Sequence, residues 1–539
     1  MDIEACTAKK ISIKAIICGN LIDGTGSPVM RDAVIITQGN KITQVGPKGK
    51  VKVPKDAQVI DASGKTVVPG LIDSHTHFLA MGYRLTHLDL SRSTSIKGIV
   101  KDLESYIKTR SIPKGRWVQG RAWDDQNLKE QRYPTRHDLD KVSPNNPVVL
   151  TRICGHMMIL NSLALKECNI NKDTPNPAGG VVDKDEHGEP TGVLRDARPL
   201  VSPYVSPPTY DELRQGLRDA IKYAHSLGAT GVHDASRPDE LSIQTSSTPY
   251  VDAHRDGELN LRCNVMTGYP REPSSDHWLT FGTLKIGIDG SMGAQTALLY
   301  EPYANDPSTK GVYVGDKKLN KERAMDAHKK KGIVAIHAIG DKAITEAIDR
   351  IEEVLKAEPR KDHRYRIEHY EYPTDKDIKR SQKLGIVASM QPNFVGEWAW
   401  PGGMYDTRIG HERLQRCNPY RKLLDLGFHI PFGSDGMPFH PIYGLWSAVN
   451  HPIKESRITI EEAVKCFTWE GAYATHEEDF KGSIEAGKVA DITILPIDIT
   501  KPEFKLDTDD LGRVEAEKRR LKDLKAYMTI IDGEIVYKS

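Results

Sequence analysis

The middle of the chain repeats one pattern, in which an amphipathic helix is followed by a glycine and a short apolar strand. In the clearest copy, Thr209 and Glu212 form a capping box, apolar residues recur at helical spacing through 213–227, and Gly228 precedes the apolar run 229–232. The pattern returns around three later glycines, Gly332, Gly385 and Gly427. Helices that alternate with short buried strands are typical of βα units around a parallel sheet.

Polar residues end these apolar runs at one strand after another. The runs terminate at His233-Asp234, His337, His369, Gln391 and Asp435. In a (β/α)8 barrel, the carboxyl ends of the strands carry the active site. The pattern therefore predicts an α/β fold of the (β/α)8 TIM barrel class, with its chemistry at this edge of the strands.

The two ends of the chain contain short apolar runs that are separated by Gly/Asn-rich segments. Near the N-terminus we predict turns at Gly19-Asn20, Gly39-Asn40 and Ser63-Gly64. Such runs favour antiparallel pairing. Because the ends of a domain often meet in space, we expect one small β-sandwich built from both termini.

The barrel pattern is interrupted after its first strand. Segment 85–206 is rich in turns and contains no clear copy of the helix–glycine–strand pattern. We interpret it as a large insertion that forms a subdomain over the barrel mouth. The predicted domains are a composite β-sandwich of 1–66 plus 480–539, a barrel of 67–84 plus 207–479, and the inserted subdomain of 85–206.

Composition narrows the class of protein. The 539 residues include 75 Lys and Arg against 74 Asp and Glu, so a formal net charge of +1 argues against a nucleic-acid or anionic-membrane surface. No apolar run approaches the about 18 residues of a membrane-spanning helix, and the N-terminus lacks a secretory pattern. The 7 cysteines are scattered without a CxxC motif, as expected in a reducing compartment. We expect a cytoplasmic protein.

The strongest local signal is an apolar strand that leads into His75-Thr76-His77. Side chains alternate along a strand that rises about 3.3 Å per residue, so His75 and His77 point to the same face. Two imidazoles in this arrangement can bind one metal ion at about 2.0–2.1 Å. A pair of structural histidines is the alternative for an HxH alone, but the preceding segment 69–73, Pro-Gly-Leu-Ile-Asp, favours the metal site.

Three later residues extend this predicted site. His337 and His369 each end a predicted buried strand, and Asp435 ends the last strand of the series. A single histidine of this kind is more often a satisfied core residue than a ligand, but two on successive strands after an HxH favour a four-histidine site. Asp435 could cap a turn or helix, whereas in a metal site it would be the base that accepts a proton from water.

Together these segments resemble the amidohydrolase superfamily. The subgroup closest in pattern is amidohydrolase family 3, the YtcJ-like proteins that include N-substituted formamide deformylases, and the resemblance spans essentially the whole chain. The matching segments are PGLIDSHTH at 69–77, RICGH at 152–156, KIGIDGS at 285–291, HAIGD at 337–341, RIEH at 366–369, GSD at 433–435 and GSIEAGKVADITIL at 482–495.

The resemblance implies a metal centre with one or two divalent ions, for which zinc is the first choice and manganese, iron and nickel remain open. Asp435 would be the catalytic base as well as a ligand. The implied metal ligands are His75, His77, His337, His369 and Asp435.

Lys285 matches a lysine that is carboxylated in many superfamily members and bridges two metals. An ammonium group cannot bind a cation, whereas a carbamate formed with CO2 supplies two oxygens. The alternative is an unmodified Lys285 that pairs with an acid such as Asp289, in which case a mononuclear site is expected.

Some positions depart from the pattern or have less certain roles. Gly436 and Tyr370 differ from the residues that relatives often carry at the barrel mouth, so substrate specificity does not transfer. Arg152 and His156 are candidate substrate-binding residues contributed by the insertion, with a purely structural role as the alternative. Asp341 could orient a metal ligand or cap the following helix.

The implied activity is hydrolysis of a non-peptide C–N bond, in an amide, formamide or cyclic amide, by metal-activated water. A deaminase of a nucleobase or related heterocycle would use the same site but release ammonia. A non-catalytic regulatory protein is the alternative from another class, and the presence of every expected ligand disfavours it. We expect no nucleic-acid or membrane partner, and a homo-oligomer such as a dimer.

Overall fold

The computed structural model describes residues 12–152, 157–177, 180–235, 247–267, 276–314, 316–506 and 510–539. The chain divides into two compact units, one containing the residues up to Leu79 with Ala220–Ser539 and the other containing Ala80–Asp219. The first unit holds both the terminal strands and the barrel strands, and the predicted insertion 85–206 falls within the second. Its place over the barrel mouth stays a prediction. No helix of the described ranges is long and apolar enough to cross a bilayer.

The described residues form both strands and helices. The strands are β1 Ile13–Leu21, β2 Met30–Gln38, β3 Lys41–Pro47, β4 Gln58–Pro69, β5 Leu71–Thr76, β6 Leu88–Asp89, β7 Val118–Trp123, β8 Val148–Arg152, β9 Met157–Leu160, β10 Val181–Lys184, β11 Pro190–Arg195, β12 Ala229–Asp234, β13 Arg262–Val265, β14 Leu279–Thr280, β15 Thr283–Gly287, β16 Ile333–Ala338, β17 Arg366–His369, β18 Val387–Ser389, β19 Ile492–Leu495, β20 Met528–Ile531 and β21 Glu534–Lys538. The α-helices are Phe78–Leu85, Ile96–Thr109, Arg136–Asp140, Ser162–Glu167, Tyr210–Ser226, Thr248–Arg255, Lys317–Lys329, Asp341–Ala357, Asp375–Leu384, Pro392–Trp398, Met404–Ile409, His411–Leu414, Tyr420–Asp425, Pro441–Val449, Ile460–Cys466, Trp469–Tyr473 and Leu511–Lys522.

Strands from both ends of the chain form one seven-stranded sheet, in the order β21-β20-β19-β4-β1-β2-β3. The predicted antiparallel arrangement is wrong in one place, because β1 pairs antiparallel with β2 but parallel with β4. The turns predicted at Gly19-Asn20 and Ser63-Gly64 are also wrong, since both pairs lie inside strands. A Cβ on Gly19 would lie 2.5 Å from Gly64 N, and Gly64 has a φ of 75°. These glycines therefore permit a bulge between close strands rather than a chain reversal.

A ring of parallel strands forms the centre of the first unit. One four-stranded sheet has the order β14-β13-β12-β5 and another has the order β15-β16-β17-β18, and β14 and β15 follow each other along the chain. Segment 429–433 closes the ring, because Met390 N donates to Pro431 O at 3.0 Å and Ser74 N donates to Phe432 O at 2.9 Å. The architecture is TIM-barrel-like with mixed α/β content.

The helices of the first unit pack their apolar faces against this ring. In helix Asp341–Ala357, the buried residues Ile344, Ile348 and Ile351 recur at helical spacing and belong to the main hydrophobic core. The next helix along the chain ends at Gly385, whose φ of 69° is the left-handed conformation that the sequence pattern predicts. Because the strands of the ring pair in parallel, their carboxyl ends lie at one edge of the ring.

The second unit has a sheet of its own, in the order β10-β11-β9-β8-β7-β6. The pairs β6–β7 and β7–β8 are parallel, and the pairs β8–β9, β9–β11 and β11–β10 are antiparallel. Two hydrophobic clusters cover this sheet, one around Trp123 and one around Trp117. The second unit therefore has hydrophobic clusters of its own.

Candidate metal centre

Three of the predicted ligands converge at the carboxyl end of the ring. His75 and His77 lie at and just beyond the end of β5, and Asp435 follows the segment that closes the ring beside them. Asp435 Oδ1 lies 3.1 Å from His77 Nε2 and 3.5 Å from His75 Nε2. The three residues each offer a ligand atom within 4.8 Å of the others, and no other group of three His, Cys, Asp or Glu residues in the described ranges does so.

The other predicted ligands lie directly beside this group. Lys285 Nζ is 3.1 Å from His75 Nε2. The ring centre of His369 is 4.8 Å from that of His75 and 4.4 Å from that of His337. The Nε2 atom of His337 is 2.9 Å from Gly290 O and 3.4 Å from Asp289 Oδ1. Four strands and the segment before Asp435 thus bring together the six predicted metal ligands.

Two of these residues have backbone conformations that side chains other than glycine rarely adopt. His369 has a φ of 77° and Asp435 has a φ of 55°, and Tyr370 follows His369 with a φ of 47°. Left-handed backbone at non-glycine residues is uncommon, and it concentrates where a surrounding structure must aim a functional side chain. The strand ends at His369 and Asp435 are therefore bent in a way that directs both side chains toward His75.

Asp73 connects the two halves of the centre. It lies two residues before His75, so its side chain falls on the same face of β5. Its Oδ1 accepts the backbone N–H of Ser434 at 3.0 Å and that of His75 at 3.2 Å, and its Oδ2 accepts the Ser434 hydroxyl at 2.5 Å. Burial raises the pKa of Asp73 to about 7. The sequence prediction gave this residue no role, although its period-two spacing from the HxH could have identified it.

Glu368 is a second residue that the sequence analysis did not single out. Its Oε2 accepts the Nδ1–H of His75 at 2.5 Å, and its Oε1 lies 2.6 Å from Nε of Arg366. Arg366 Nη1 in turn lies 3.2 Å from His233 Nδ1. The sequence signal for its role is the pair of charged residues, Arg366 and Glu368, in a predicted buried strand, where apolar side chains would be expected.

Asp289 and Asp341 accept hydrogen bonds that the sequence analysis did not consider. Asp289 accepts the backbone N–H groups of Leu298, Ile339 and Gly340 at 2.8, 3.1 and 2.9 Å. Helix Asp341–Ala357 has Gly340 as its N-cap, so Asp341 is not the capping residue. The carboxylate of Asp341 instead accepts Tyr300 N at 2.9 Å and the guanidinium of Arg416 at 2.8 Å. Both aspartates fix loops at the carboxyl edge of the ring.

The electrostatic environment sets the charge states of the centre. Burial, followed by the charge of Lys285, lowers the pKa of His75 to about 4, and burial places the pKa of His369 well below its ordinary value. Burial alone would raise the pKa of Asp435, but the hydrogen bond and charge of His77 hold it below the ordinary value. At neutral pH the site therefore presents neutral imidazoles at His75 and His369 and an ionised carboxylate at Asp435.

These residues fit a divalent metal ion. Neutral imidazole nitrogens and a carboxylate oxygen are the donors that zinc and related ions accept. In addition, His369 Nδ1 is buried and has no hydrogen-bond partner in the described part of the chain. A buried ring nitrogen without a partner is expected where a ligand completes its coordination.

Of the two candidate substrate-binding residues, the structure describes one. Arg152 belongs to the second unit, where its guanidinium donates to Asp124 Oδ1 at 2.7 Å and to Asp125 Oδ1 at 2.6 Å. His156 lies outside the described residues. A role for either residue in binding substrate stays a prediction.

Comparison with known proteins identifies the family of the chain. The model of the amidohydrolase family matches residues 58–537, and the chain belongs to this family. This membership, together with the similarity to a solved metal-dependent hydrolase, identifies the chain as a hydrolase.

Individual relatives cover nearly the whole chain. The YtcJ protein of Bacillus subtilis (strain 168) is 33% identical over 505 residues, which are 89% of this chain and 91% of that protein. The N-substituted formamide deformylase of Arthrobacter pascens is 29% identical over 549 residues, covering 93% of this chain and 94% of the relative. Among solved structures, an uncharacterized metal-dependent hydrolase from Pyrococcus furiosus is similar with a TM-score of 0.70, 27% identity and coverage of 91% and 100%.

Proposed function

We propose that this protein hydrolyses a non-peptide C–N bond in an amide, a formamide or a cyclic amide, with a metal-activated water and Asp435 as the general base. The observation that carries the proposal is the convergence of His75 Nε2, His77 Nε2 and Asp435 Oδ1 at one end of the barrel. The similarity to an N-substituted formamide deformylase over most of both chains supports the type of bond.

The exposure of the side chains indicates the direction from which a substrate would approach. The side chains of His77 and His337 are 24% and 20% exposed, whereas that of His75 is 0% exposed. A carbonyl group would therefore enter on the side of His77 and His337, and His75 would remain behind the centre. Asp435 is next to His77 on that accessible side.

Asp435 is suited to move the proton. Its carboxylate is ionised at neutral pH, and it lies within hydrogen-bond reach of His77. It would accept a proton from the attacking water and deliver it to the departing nitrogen. A divalent metal bound to the neighbouring histidines would polarise the carbonyl oxygen and lower the pKa of water to about 7.

We further propose that the metal is zinc and that Lys285 is carboxylated, which would allow a second ion. The ammonium of an unmodified Lys285 would donate to His75 Nε2, 3.1 Å away, and thereby occupy the lone pair that a metal needs. Conversion to a carbamate removes this competition and supplies oxygen ligands. Incubation with 13C-bicarbonate followed by NMR should reveal a carbamate carbon that is absent in Lys285→Arg.

The activity is tested with a substrate panel. The zinc-loaded protein is incubated with N-substituted formamides, linear amides, cyclic amides and amino-heterocycles, and released amine and ammonia are measured separately. We expect amine release, and a fall in kcat of about 100- to 10,000-fold in Asp435→Asn, the range typical for loss of a general base. Asp306→Asn, which changes an exposed loop aspartate, is the matched control. Ammonia release from the heterocycles with no amide hydrolysis would instead identify a deaminase.

We propose a cytoplasmic homo-oligomer, such as a dimer, that has a small-molecule substrate and no nucleic-acid or membrane partner. Size-exclusion chromatography with light scattering measures the assembly, and a monomer at micromolar concentration would contradict that part of the proposal.

A further inference from the structure

A line of buried polar side chains extends from the candidate metal centre into the barrel. His75, Glu368 and Arg366 are all 0% exposed, and His233 is 1% exposed. Hydrogen bonds or ion pairs join them in that order, with distances of 2.5 Å from His75 Nδ1 to Glu368, 2.6 Å from Glu368 to Arg366 and 3.2 Å from Arg366 to His233 Nδ1. Barrel interiors are usually filled with branched apolar residues, so four connected polar side chains buried in the barrel are unusual.

We propose that Glu368, held in place by Arg366 and His233, is a positioning residue that fixes His75 as an Nε2 metal ligand and sets the affinity of the centre for its metal. The inference rests on the proposed metal-dependent function. It assigns a role to three residues that do not themselves reach the reacting atoms.

The tautomer of His75 is determined by its carboxylate partner. A carboxylate that forms an ion pair with Arg366 can only accept a hydrogen bond, so the proton shared with Glu368 belongs to His75 Nδ1. The lone pair of His75 is then on Nε2, the atom that faces Asp435 at 3.5 Å. A carboxylate behind a ligating histidine fixes the orientation of the ring and increases the basicity of the ligand.

The charges of Glu368 and Arg366 also bear on metal binding at the centre. Glu368 and Arg366 together are neutral, so the pair adds no net charge behind the centre. Without the Glu368 carboxylate, the buried guanidinium of Arg366 would remain near His75 and repel a divalent cation. Arg366 itself is held by His233 and by a contact of 3.4 Å between its Nη2 and the sulfur of Met266. The geometry of the Glu368 carboxylate is thereby fixed from both sides.

A purely structural role does not account for the buried ion pair of Glu368 and Arg366. A buried ion pair can often be replaced by apolar residues without loss of stability, so stability alone does not explain this one. The first unit offers a comparison in Glu470, which is also buried and accepts a hydrogen bond from His429 Nδ1 at 2.9 Å. His429 lies at the start of segment 429–433, which closes the ring, whereas the metal centre lies at the carboxyl end of that segment. If carboxylate–histidine pairs only stabilised the barrel, Glu368 and Glu470 would behave alike on substitution.

The test measures zinc affinity in the full-length protein by competition with a chromophoric chelator. Wild type, Glu368→Gln and the matched control Glu470→Gln are compared as apoproteins, and each is also loaded with Co2+ to record its visible ligand-field spectrum. We expect Glu368→Gln to lose about 10- to 100-fold in zinc affinity, the range seen when such a partner of a ligating histidine is removed, and to show an altered Co2+ spectrum. Glu470→Gln should retain the wild-type affinity within twofold and the wild-type spectrum.

Two further variants keep the test decisive if Glu368→Gln folds poorly. Glu368→Asp restores a carboxylate and should recover part of the lost affinity, whereas the double variant Glu368→Gln/Arg366→Met removes the stranded guanidinium and should recover thermal stability but not wild-type zinc affinity. Wild-type zinc affinity in folded Glu368→Gln or in the double variant would overturn the inference. Absence of zinc binding in the wild type would overturn the proposed function first, so the two failures are distinguishable.

Discussion

Replacement of Asp289 by alanine should loosen the loop that follows the His337 strand. Asp289 is only 4% exposed, and its two carboxylate oxygens accept three backbone N–H groups. Oδ2 accepts from Leu298 at 2.8 Å and from Gly340 at 2.9 Å, and Oδ1 accepts from Ile339 at 3.1 Å. Alanine removes the acceptor for all three donors at once.

The size of the effect follows from these contacts. A buried donor that loses its partner costs about 1–3 kcal/mol, so three donors give a loss of at least about 3 kcal/mol in the alanine variant. Asparagine keeps one oxygen and can retain two of the bonds, which reduces the loss to about 1–3 kcal/mol. Because about 1.4 kcal/mol corresponds to a factor of ten, amide exchange of the loop should accelerate by about 100-fold in Asp289→Ala and by less in Asp289→Asn.

Hydrogen–deuterium exchange of the apoprotein, read by mass spectrometry on peptides that cover Ile339 and Gly340, measures this directly. Asp306→Ala is the control, because Asp306 accepts the backbone N–H of Ser308 in an exposed loop at 3.1 Å. We expect that control to leave the peptides around Gly340 unchanged. Exchange in Asp289→Ala that is as slow as in the wild type would refute the assignment of Asp289 as the acceptor that holds this loop.

Three other changes have predicted outcomes that thermal unfolding can measure. Ser434→Ala deprives the buried Asp73 carboxylate of a donor at 2.5 Å and should destabilise the protein by about 1–3 kcal/mol. Arg262→Met leaves Asp491, 2.6 Å away and buried, without its partner and should cost about 3–5 kcal/mol, whereas the double variant with Asp491→Leu should recover most of it. Burial would raise the pKa of Glu477, but the neighbouring lysine ammonium lowers it below the ordinary value. A lowered folded-state pKa gives stability that is present above the unfolded pKa of about 4.3 and is lost as the pH falls through the folded value, so the advantage of the wild type over Glu477→Gln should be full at pH 7 and shrink below about pH 4.3.

Each of these three predictions has a result that would contradict it. Ser308→Ala, at an exposed hydroxyl 2.5 Å from a carboxylate, is the control for Ser434→Ala, and equal effects would contradict the role given to burial. Equal stability of Arg262→Met and the double variant would show that the unpaired aspartate is not the source of the loss. A stability difference between the wild type and Glu477→Gln that stays constant from pH 7 to pH 3 would contradict the lowered pKa.

The sequence predicts the barrel well because its signals are local and repeated. The helix–glycine–strand pattern depends on helical spacing and on a left-handed residue at the helix end, and Gly385 has this conformation in the structure. The candidate centre could be predicted for a similar reason, since a period of two places His75 and His77 on one face. Strand ends in a parallel ring then bring distant residues such as Asp435 to the same edge.

The parts that the sequence did not predict depend on pairing between distant residues. Gly19 and Gly64 permit a bulge between two strands, and a glycine in isolation is equally compatible with a turn. Glu368 was visible in its motif, but its role depends on the approach of His75 from a strand far away in sequence. Asp289 similarly acquires its three backbone donors only when two loops meet.

The central claim is that this family member holds a catalytic metal at His75, His77 and Asp435. The most direct test is the metal content per chain, measured by mass spectrometry on protein purified without chelators and on the His75→Ala/His77→Ala variant. We predict one to two equivalents of a divalent transition metal, zinc first, in the wild type and loss of that metal in the variant. Wild-type protein that retains no metal after supplementation, or a variant that retains as much as the wild type, would contradict the account.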